Sequence, residues 1–225
     1  MISLNQRLTH VSRYIIGDFL VDIGSDHAYL PIYAIENQMI EKAIAGEVIT
    51  GPYEASQKNV KHNQMTNVID VRLGDGLSVL NGDEKVTSIT ICGMGGPLIA
   101  KILNEGAKKL THQPRLILQS NIQSSAIREL LPEINYQLVA EEILEEKGHI
   151  YEILVCDPTT TSHNLSALEI KFGPYLLENK DALFYKKWQR ELDALFKIKA
   201  NLNPQQHANR LTEINREIEM IQEVI

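Results

Sequence analysis

Phe19-Leu20-Val21-Asp22-Ile23-Gly24-Ser25-Asp26-His27-Ala28-Tyr29-Leu30-Pro31 is the stretch on which the reading of this chain turns. An apolar run ends in an acidic residue and a glycine, and two polar residues follow. That pattern predicts a buried strand entering a tight turn and then a helix. In open α/β sheets, ligands bind outside the carboxyl ends of the strands. Gly24 lacks a Cβ and lets a ligand approach the backbone, while Asp22 and Asp26 flank the gap with negative charge. A pyrophosphate site would offer backbone N–H groups and glycines. The dinucleotide fingerprint needs three glycines where this turn has one. Two carboxylates suit a ligand carrying positive charge, such as the ammonium and sulfonium of S-adenosylmethionine. The same residues also read as a strand closed by a capped turn, because Asp is a good N-cap residue.

Outward from that turn, apolar and amphipathic stretches alternate. Residues 2–16 predict a short amphipathic helix, with Leu4, Leu8, Val11 and Ile15 on one stripe. Asn5, Arg7, Ser12 and Arg13 lie off it, either as a solvated face or as a small basic patch beside the Asp22 turn. A helix over residues 28–38 follows the first strand, Phe19–Ile23. Residues 43–48 form a second strand. Its Glu47 stands about 25 residues after the first strand end, the place of the acid that holds ribose hydroxyls in nucleotide-binding α/β folds. Residues 52–63 are helical, with Pro52 at the start, where a missing N–H costs nothing. Ile69–Leu73 is a third strand and runs into Gly74-Asp75-Gly76-Leu77. Asp75 either accepts from an adenine amino group or belongs to an ordinary Asp-Gly turn. A fourth strand from Ser88 enters Cys92-Gly93-Met94-Gly95-Gly96-Pro97. Three glycines in four residues demand a close approach or positive φ. A helix runs from Pro97 to about residue 105. The fifth strand, from Arg115, ends in Gln119-Ser120-Asn121, and a helix over 124–131 is closed by Pro132. Residues 136–144 and 149–155 are two strands whose short connection makes them antiparallel.

The order implies an α/β fold, a mostly parallel sheet covered by helices with an antiparallel edge hairpin. The polar and glycine residues singled out all fall at strand carboxyl ends, on one rim. The composition then shifts. Residues 1–157 form the sheet domain, and 158–225 form a linker, Pro158-Thr159-Thr160-Thr161-Ser162, and a helical hairpin. Leu176, Leu183, Trp188, Leu192, Leu195 and Phe196 share a helical face. Asn203-Pro204 breaks the chain as N-cap and first helical position. His207, Leu211, Ile214, Ile218, Ile221 and Ile225 form a heptad seam, predicting an antiparallel hairpin of coiled-coil type. That seam can be satisfied within the hairpin, so the sheet domain is expected to fold without it. Lys186, Lys187, Arg190, Lys197 and Lys199 load one helix with positive charge, opposite Glu213, Glu217, Glu219 and Glu223 on the other. These charges either exchange across the hairpin or form a basic strip for RNA phosphates.

Composition sets the outer limits. A 44% hydrophobic and 23% charged chain of 225 residues is of soluble globular type, with a real core. No apolar run approaches the ~20 residues that span a bilayer, and residues 1–16 are too polar for a signal peptide, so a cytoplasmic location is expected. Cys92 and Cys156 sit in apolar runs, as reduced thiols do. The seven histidines lack metal-ligand spacing. The net charge of −7 argues against a nucleic-acid partner unless local basic patches override it.

Taken together, Asp22-Ile23-Gly24-Ser25-Asp26-His27, Glu47, Gly74-Asp75-Gly76-Leu77 and Cys92-Gly93-Met94-Gly95-Gly96 resemble the bacterial tRNA adenine-N1 methyltransferases that modify position 22, the TrmK family. The resemblance extends over nearly the whole chain. It implies a class I, Rossmann-like methyltransferase fold, S-adenosylmethionine and tRNA, with no metal. Carried over residue by residue, Asp22, Gly24, Asp26 and His27 form the cofactor turn, and Glu47 holds the ribose. Asp75 and Leu77 bracket the adenine, and Gly76, Cys92 and Gly93 complete the cofactor site. Glycines stand where amino-directed methyltransferases carry a polar-Pro-Pro-aromatic block, which leaves room for the target base. Met94, Gly95, Gly96 and Asn121 are expected beside that base, with Tyr29 as its aromatic clamp. Arg7, Arg13, Lys186, Lys187 and Arg190 are expected to meet tRNA. Asp22 is the expected catalytic carboxylate, and a monomer is favoured. Two other classes stay open at this point: a non-catalytic RNA-binding or scaffold protein with a vestigial pocket, and a small-molecule methyltransferase. A nicotinamide dehydrogenase would need the missing glycine triplet.

Overall fold

Alternating apolar runs and amphipathic stretches build one sheet of seven strands. The computed structural model describes residues 2–161 and 164–225. Met1, and Ser162 of the expected linker, lie outside the described residues. The strands are β1 (Phe19–Ile23), β2 (Lys42–Glu47), β3 (Ile69–Leu73), β4 (Ser88–Met94), β5 (Arg115–Ser120), β6 (Tyr136–Glu146) and β7 (His149–Pro158). Their order is β3-β2-β1-β4-β5-β7-β6. The first five are mutually parallel. β7 runs antiparallel to both β5 and β6. The hairpin therefore sits at the edge as expected, but its second strand is the inner one and β6 forms the rim. The strand order reverses between β1 and β4, so a crevice opens there at their carboxyl ends.

The helices are α1 (Gln6–Ser12), α2 (Tyr29–Glu36), α3 (Thr50–His62), α4 (Gly96–Gly106), α5 (Ser125–Leu130), α6 (Ala167–Phe172), α7 (Pro174–Glu178), α8 (Ala182–Asn201) and α9 (Ala208–Val224). Side chains alternate across a strand. Val21 and Ile23 of β1 join Ile99 and Leu103 of α4 on one face. Leu20 joins Leu30 and Ile32 of α2 on the other. Asp22 shares the face of Leu20, between the sheet and the N-terminal helices. No helix among the described residues is long and apolar enough to cross a membrane.

Several boundaries differ from expectation for local reasons. α1 covers only seven of the fifteen residues expected, because Asn5 caps it by accepting the Leu8 N–H. Ser12 faces inward, its hydroxyl donating to the Thr9 carbonyl. Asn203-Pro204 does not start the last helix, which begins at Ala208. Asn203 instead closes a turn, accepting from Gln205 with its side chain and from Gln206 and His207 with its carbonyl. Gly173, at φ 89°, and Pro174 separate Leu176 onto the short α7. Phe196, 44% exposed, and His207 lie outside the packed seam, which is made by Trp188, Leu192, Leu195, Ile214, Ile218, Ile221 and Val224.

That seam is not closed within α8 and α9. Ile143 of β6 is buried in the same cluster with Phe172, Phe184 and Trp188, and Phe172 packs edge-on to Trp188 at 4.4 Å between ring centroids. The sheet and the C-terminal helices share a core, so removing the helices would uncover apolar surface on β6. Ile143→Ala should therefore lower unfolding free energy by about 2–4 kcal/mol, measured by urea titration. A loss under about 1 kcal/mol would mean that the two units do not depend on this contact.

Candidate active site

The turn after β1 is held in an unfavourable conformation. Gly24 has φ 68°, and Asp26, His27 and Ala28 follow at 42°, 73° and 56°. Residues with a Cβ rarely adopt such angles and need surroundings that enforce them. Two buried carboxylates do so. Asp22, 4% exposed, accepts the Ser25 hydroxyl at 2.6 Å on one oxygen and the Thr90 hydroxyl of β4 at 2.6 Å on the other. Glu47, 5% exposed at the end of β2, accepts the Asp26 N–H. The Gly46 carbonyl accepts from Gly24 and Ser25, and Asn59 donates to the His27 carbonyl. Burial raises the pKa of both Asp22 and Glu47, against the hydrogen bonds that favour their charged forms. A Cβ on Gly24 would lie 2.5 Å from the Met94 methyl, so glycine is needed there for space as well as for φ. The exposed Asp26 carboxylate lies beside His27, whose ring stacks on Tyr29 at 5.3 Å.

Across the crevice, a second network grips β4 where it bulges between Cys92 and Met94. Gly93, at φ 77°, donates its N–H to Gln119 Oε1, and its carbonyl accepts from Asn121 Nδ2. Gln119 Nε2 reaches Asn121 Oδ1, and the Asn121 N–H reaches the Met94 carbonyl. The Arg7 guanidinium, delivered by α1, donates to the same Gln119 oxygen and lies over the Tyr151 ring at 5.6 Å. Glu146 accepts the Arg7 backbone N–H. Cys92 is half-buried, and burial with the nearby Asp22 charge pushes its thiol well up. It is a neutral, weakly nucleophilic group.

The structure thus gathers Asp22, Gly24, Asp26, His27, Tyr29 and Glu47 on one wall, and Arg7, Cys92, Gly93, Met94, Gly95 and Asn121 on the other. Asp75 is exposed at the end of β3. Other expectations need correction. Leu77 is 1% exposed, packed where a Cβ on Gly106 would strike it, so its side chain cannot bracket a ligand. Gly76 is buried under Ile102. Gly96 is not open to a base either. Its missing Cβ makes room for the Gln123 carbonyl, which a Cβ would meet at 2.0 Å. Exposed apolar side chains at this end of the sheet include Val48, Ile49 and Leu73 beside β2 and β3 and Ile122 after β5, and Glu47 pairs with Leu73 across β2 and β3. Sequence reasoning missed them, along with Ser25, Thr90 and Gln119. The signal for Thr90 and Gln119 was a polar residue inside an apolar strand.

The basic residues of the last helices lie elsewhere. Lys186 donates to Glu145 of β6, Lys187 to Glu152 of β7, and Arg190 to the Gly148 carbonyl. Their charge is met by the sheet hairpin, not exchanged with α9. Arg13 ends α1 with its side chain exposed.

Comparison with known proteins places the whole chain. Residues 20–223 match the family model TrmK, tRNA (adenine(22)-N(1))-methyltransferase. The tRNA (adenine(22)-N(1))-methyltransferase of Bacillus subtilis is 41% identical, over 100% of this chain and 98% of that protein. The crystal structure of the B. subtilis M1A22 tRNA methyltransferase superposes with TM-score 0.93 at 40% identity, covering 100% of both chains. Streptococcus pneumoniae Sp1610, a putative tRNA (m1A22) methyltransferase in complex with S-adenosyl-L-methionine, gives TM-score 0.88 at 42% identity, covering 100% of this chain and 99% of that one.

The raised pKa of Asp22 has a stability consequence. A carboxyl raised on folding destabilises the fold as pH climbs from its ordinary value, 3.8 here, through the raised one. Below 3.8 both states are protonated and there is no cost. Asp22→Asn removes the ionisation, and the amide still meets Ser25 and Thr90. The melting temperature of the variant relative to wild type should rise as pH climbs from about 4 to about 7. A difference that stays flat or falls across that range would show that Asp22 is not desolvated as its burial indicates.

Proposed function

This chain belongs to the TrmK family of tRNA (adenine(22)-N(1))-methyltransferases, and from that premise we propose which residues hold the cofactor, seat the adenine and meet the RNA. The reaction is transfer of a methyl group from S-adenosylmethionine to N1 of adenine 22 in tRNA. When bound, S-adenosylmethionine supplies an electrophilic methyl group on a positively charged sulfur. N1 of neutral adenine carries an in-plane lone pair, so no base is required before attack. The work left to the protein is alignment of the two reactants and exclusion of water. N1 lies on the Watson–Crick edge, so the base must be unpaired or flipped out of its stack.

The observation that carries the cofactor assignment is the Gly24–Ala28 turn, held by two buried carboxylates beside the switch between β1 and β4. One Glu47 oxygen holds the Asp26 N–H, and the other has no hydrogen-bond partner among the described residues. It is placed to accept from ribose hydroxyls. Val48 and Leu73 offer apolar surface for an adenine ring, and Asp75 an acceptor for its amino group. Asp26 and the Gly24 backbone would hold the charged end of the cofactor, with His27 at the rim and Cys92 and Gly93 across the crevice. We assign Asp22 to the reaction as the buried carboxyl group that holds this turn, rather than as a proton acceptor, because both its oxygens already accept hydroxyls.

The second wall seats the target. Gly93, Met94 and Gly95 supply backbone, Gln119 and Asn121 hold it in place, and Tyr29, on the facing wall with one side of its ring against His27, is the aromatic surface for the base. Arg7 reaches the crevice from α1. Exposed Arg13, Lys186 and Arg190 are the RNA phosphate contacts, and such contacts weaken with salt. Lys187 is committed to Glu152. In this reading residues 1–157 are the catalytic domain and 158–225 the linker and helical hairpin that extend the RNA surface. The site is complete within one chain, which favours a monomer, and its tRNA substrate favours the cytoplasm.

Mass spectrometry of nucleosides from unmodified tRNA, incubated with the protein and S-adenosylmethionine, should show N1-methyladenosine, and none when guanosine replaces adenine at position 22. A folded, cofactor-bound protein that leaves tRNA unmodified would overturn the reading. Glu47→Gln keeps an acceptor for the Asp26 N–H but weakens the ribose site. It should raise the Kd for S-adenosylmethionine about tenfold, or about 1.4 kcal/mol, with kcat at saturating cofactor nearly unchanged. A lowered kcat at unchanged affinity would assign Glu47 to the transition state instead.

A further inference from the structure

Four charged side chains that the reaction does not use meet where the sheet joins the C-terminal helices. Arg128 of α5 and Glu141 of β6 have fully buried side chains, and Glu152 of β7 is 2% exposed. Arg128 Nε donates to Glu141 at 2.7 Å and Nη2 to Glu152 at 2.8 Å. Its remaining nitrogen, Nη1, donates to the carbonyls of Ile170 and Lys171 at the end of α6. The second oxygen of Glu141 accepts the Tyr175 N–H at the start of α7. The second oxygen of Glu152 takes Lys187 of α8. One guanidinium and two carboxylates thereby fix α6, α7 and α8.

Stability alone does not account for this set. Buried ion pairs are costly to desolvate, and well-packed apolar groups often do as well or better. What directional bonds add is a single register, because a planar guanidinium fork admits one arrangement of acceptors. An apolar contact would let the helices slide. The network also touches the catalytic rim. Ser124 precedes α5, and its hydroxyl pairs at 2.6 Å with that of Ser120, the last residue of β5. Asn121, next in the chain, grips Gly93. A cleft of about 700 Å³ runs from Asn121 to Arg190, with Glu152 and Lys187 in its wall.

We propose that Arg128, Glu141, Glu152 and Lys187 are positioning residues for tRNA, setting the distance between the catalytic rim and the helices across this cleft. The proposal rests on the reading that those helices meet the RNA.

Glu152→Gln tests it, since the two readings of that change differ in sign. Removing a negative charge from an acidic protein should, by electrostatics alone, strengthen tRNA binding. Loss of positioning should instead lower kcat/KM for tRNA about tenfold, with the Kd for S-adenosylmethionine within twofold of wild type. Lys187→Met should cause a similar loss with no change in the salt dependence of tRNA binding, and the double variant should lose no more than either single one. A higher or unchanged kcat/KM in Glu152→Gln overturns the proposal. So do additive losses, or a salt slope for Lys187→Met reduced by about one, which would make Lys187 a direct phosphate contact. If Glu152→Gln lacks a cooperative melt, the Lys187→Met kinetics and salt slope decide alone. Charge reversal at Lys186 and Arg190 separates the underlying reading. If that variant keeps wild-type KM for tRNA, the helices do not meet RNA; if its KM rises while Glu152→Gln is unaffected, only the positioning role fails.

Discussion

The buried carboxylate of Asp22 is the constraint on which the site depends. Three consecutive residues with side chains, Asp26, His27 and Ala28, hold left-handed angles, each at a cost of about 1–3 kcal/mol. The turn keeps this shape because Asp22 ties Ser25 to β4 through Thr90, and Glu47 ties Asp26 to β2. The carboxylates are themselves desolvated. The molecule thus accepts local instability at the switch point of the sheet, where an exposed acid, a glycine packed under Met94 and a stacked His27–Tyr29 pair border the crevice.

Periodicity made most of the fold legible. β1 and β3 begin and end where the sequence patterns place them, because apolar runs bounded by Gly and Asp leave little freedom. The order of the hairpin strands was not legible. Whether β6 or β7 lies against β5 depends on pairing across the sheet, not on any local pattern. The limits of α1 and α9 depart from their apolar stripes because one capping side chain outweighs the first, and because Asn203-Pro204 serves a turn as readily as a helix start.

Within the site, residue types at strand ends were readable but their directions were not. Asp22, Glu47 and Gly24 declared themselves by position. Leu77 follows the same logic, yet the short 3-10 turn over Gly76–Val79 rotates it into the core, and Val48 and Leu73 stay outside. A glycine in a loop means room either for a ligand or for the chain itself. Gly93 lies beside the Arg7 guanidinium and Gly95 beside Ile122, while Gly96 gives its room to the Gln123 carbonyl. Gln119 shows in the sequence only as a polar residue in an apolar strand; its task becomes visible with its partners, Gly93 and Arg7.

β6 carries alternating duties along its length. Glu141, Ile143 and Glu145 face the C-terminal helices, while Glu142, Leu144 and Glu146 face α1 and the second core, with Glu142 bound to His10 and Tyr14. The same residues have a consequence at the open margin of the sheet. Strands at a sheet edge expose unpaired backbone groups that invite a further strand, and charge along the edge discourages it. Here β6 presents Glu142, Glu145, Glu146 and the adjoining Lys147, and the opposite margin, β3, presents Asp70 bridged to Arg72 at 2.7 Å. A newly made chain has both margins bare before its helices dock. The carboxylates that later anchor α1 and α8 then act as guards against edge-to-edge aggregation, so replacing them with apolar residues would carry a penalty in soluble yield beyond any loss of the native contacts.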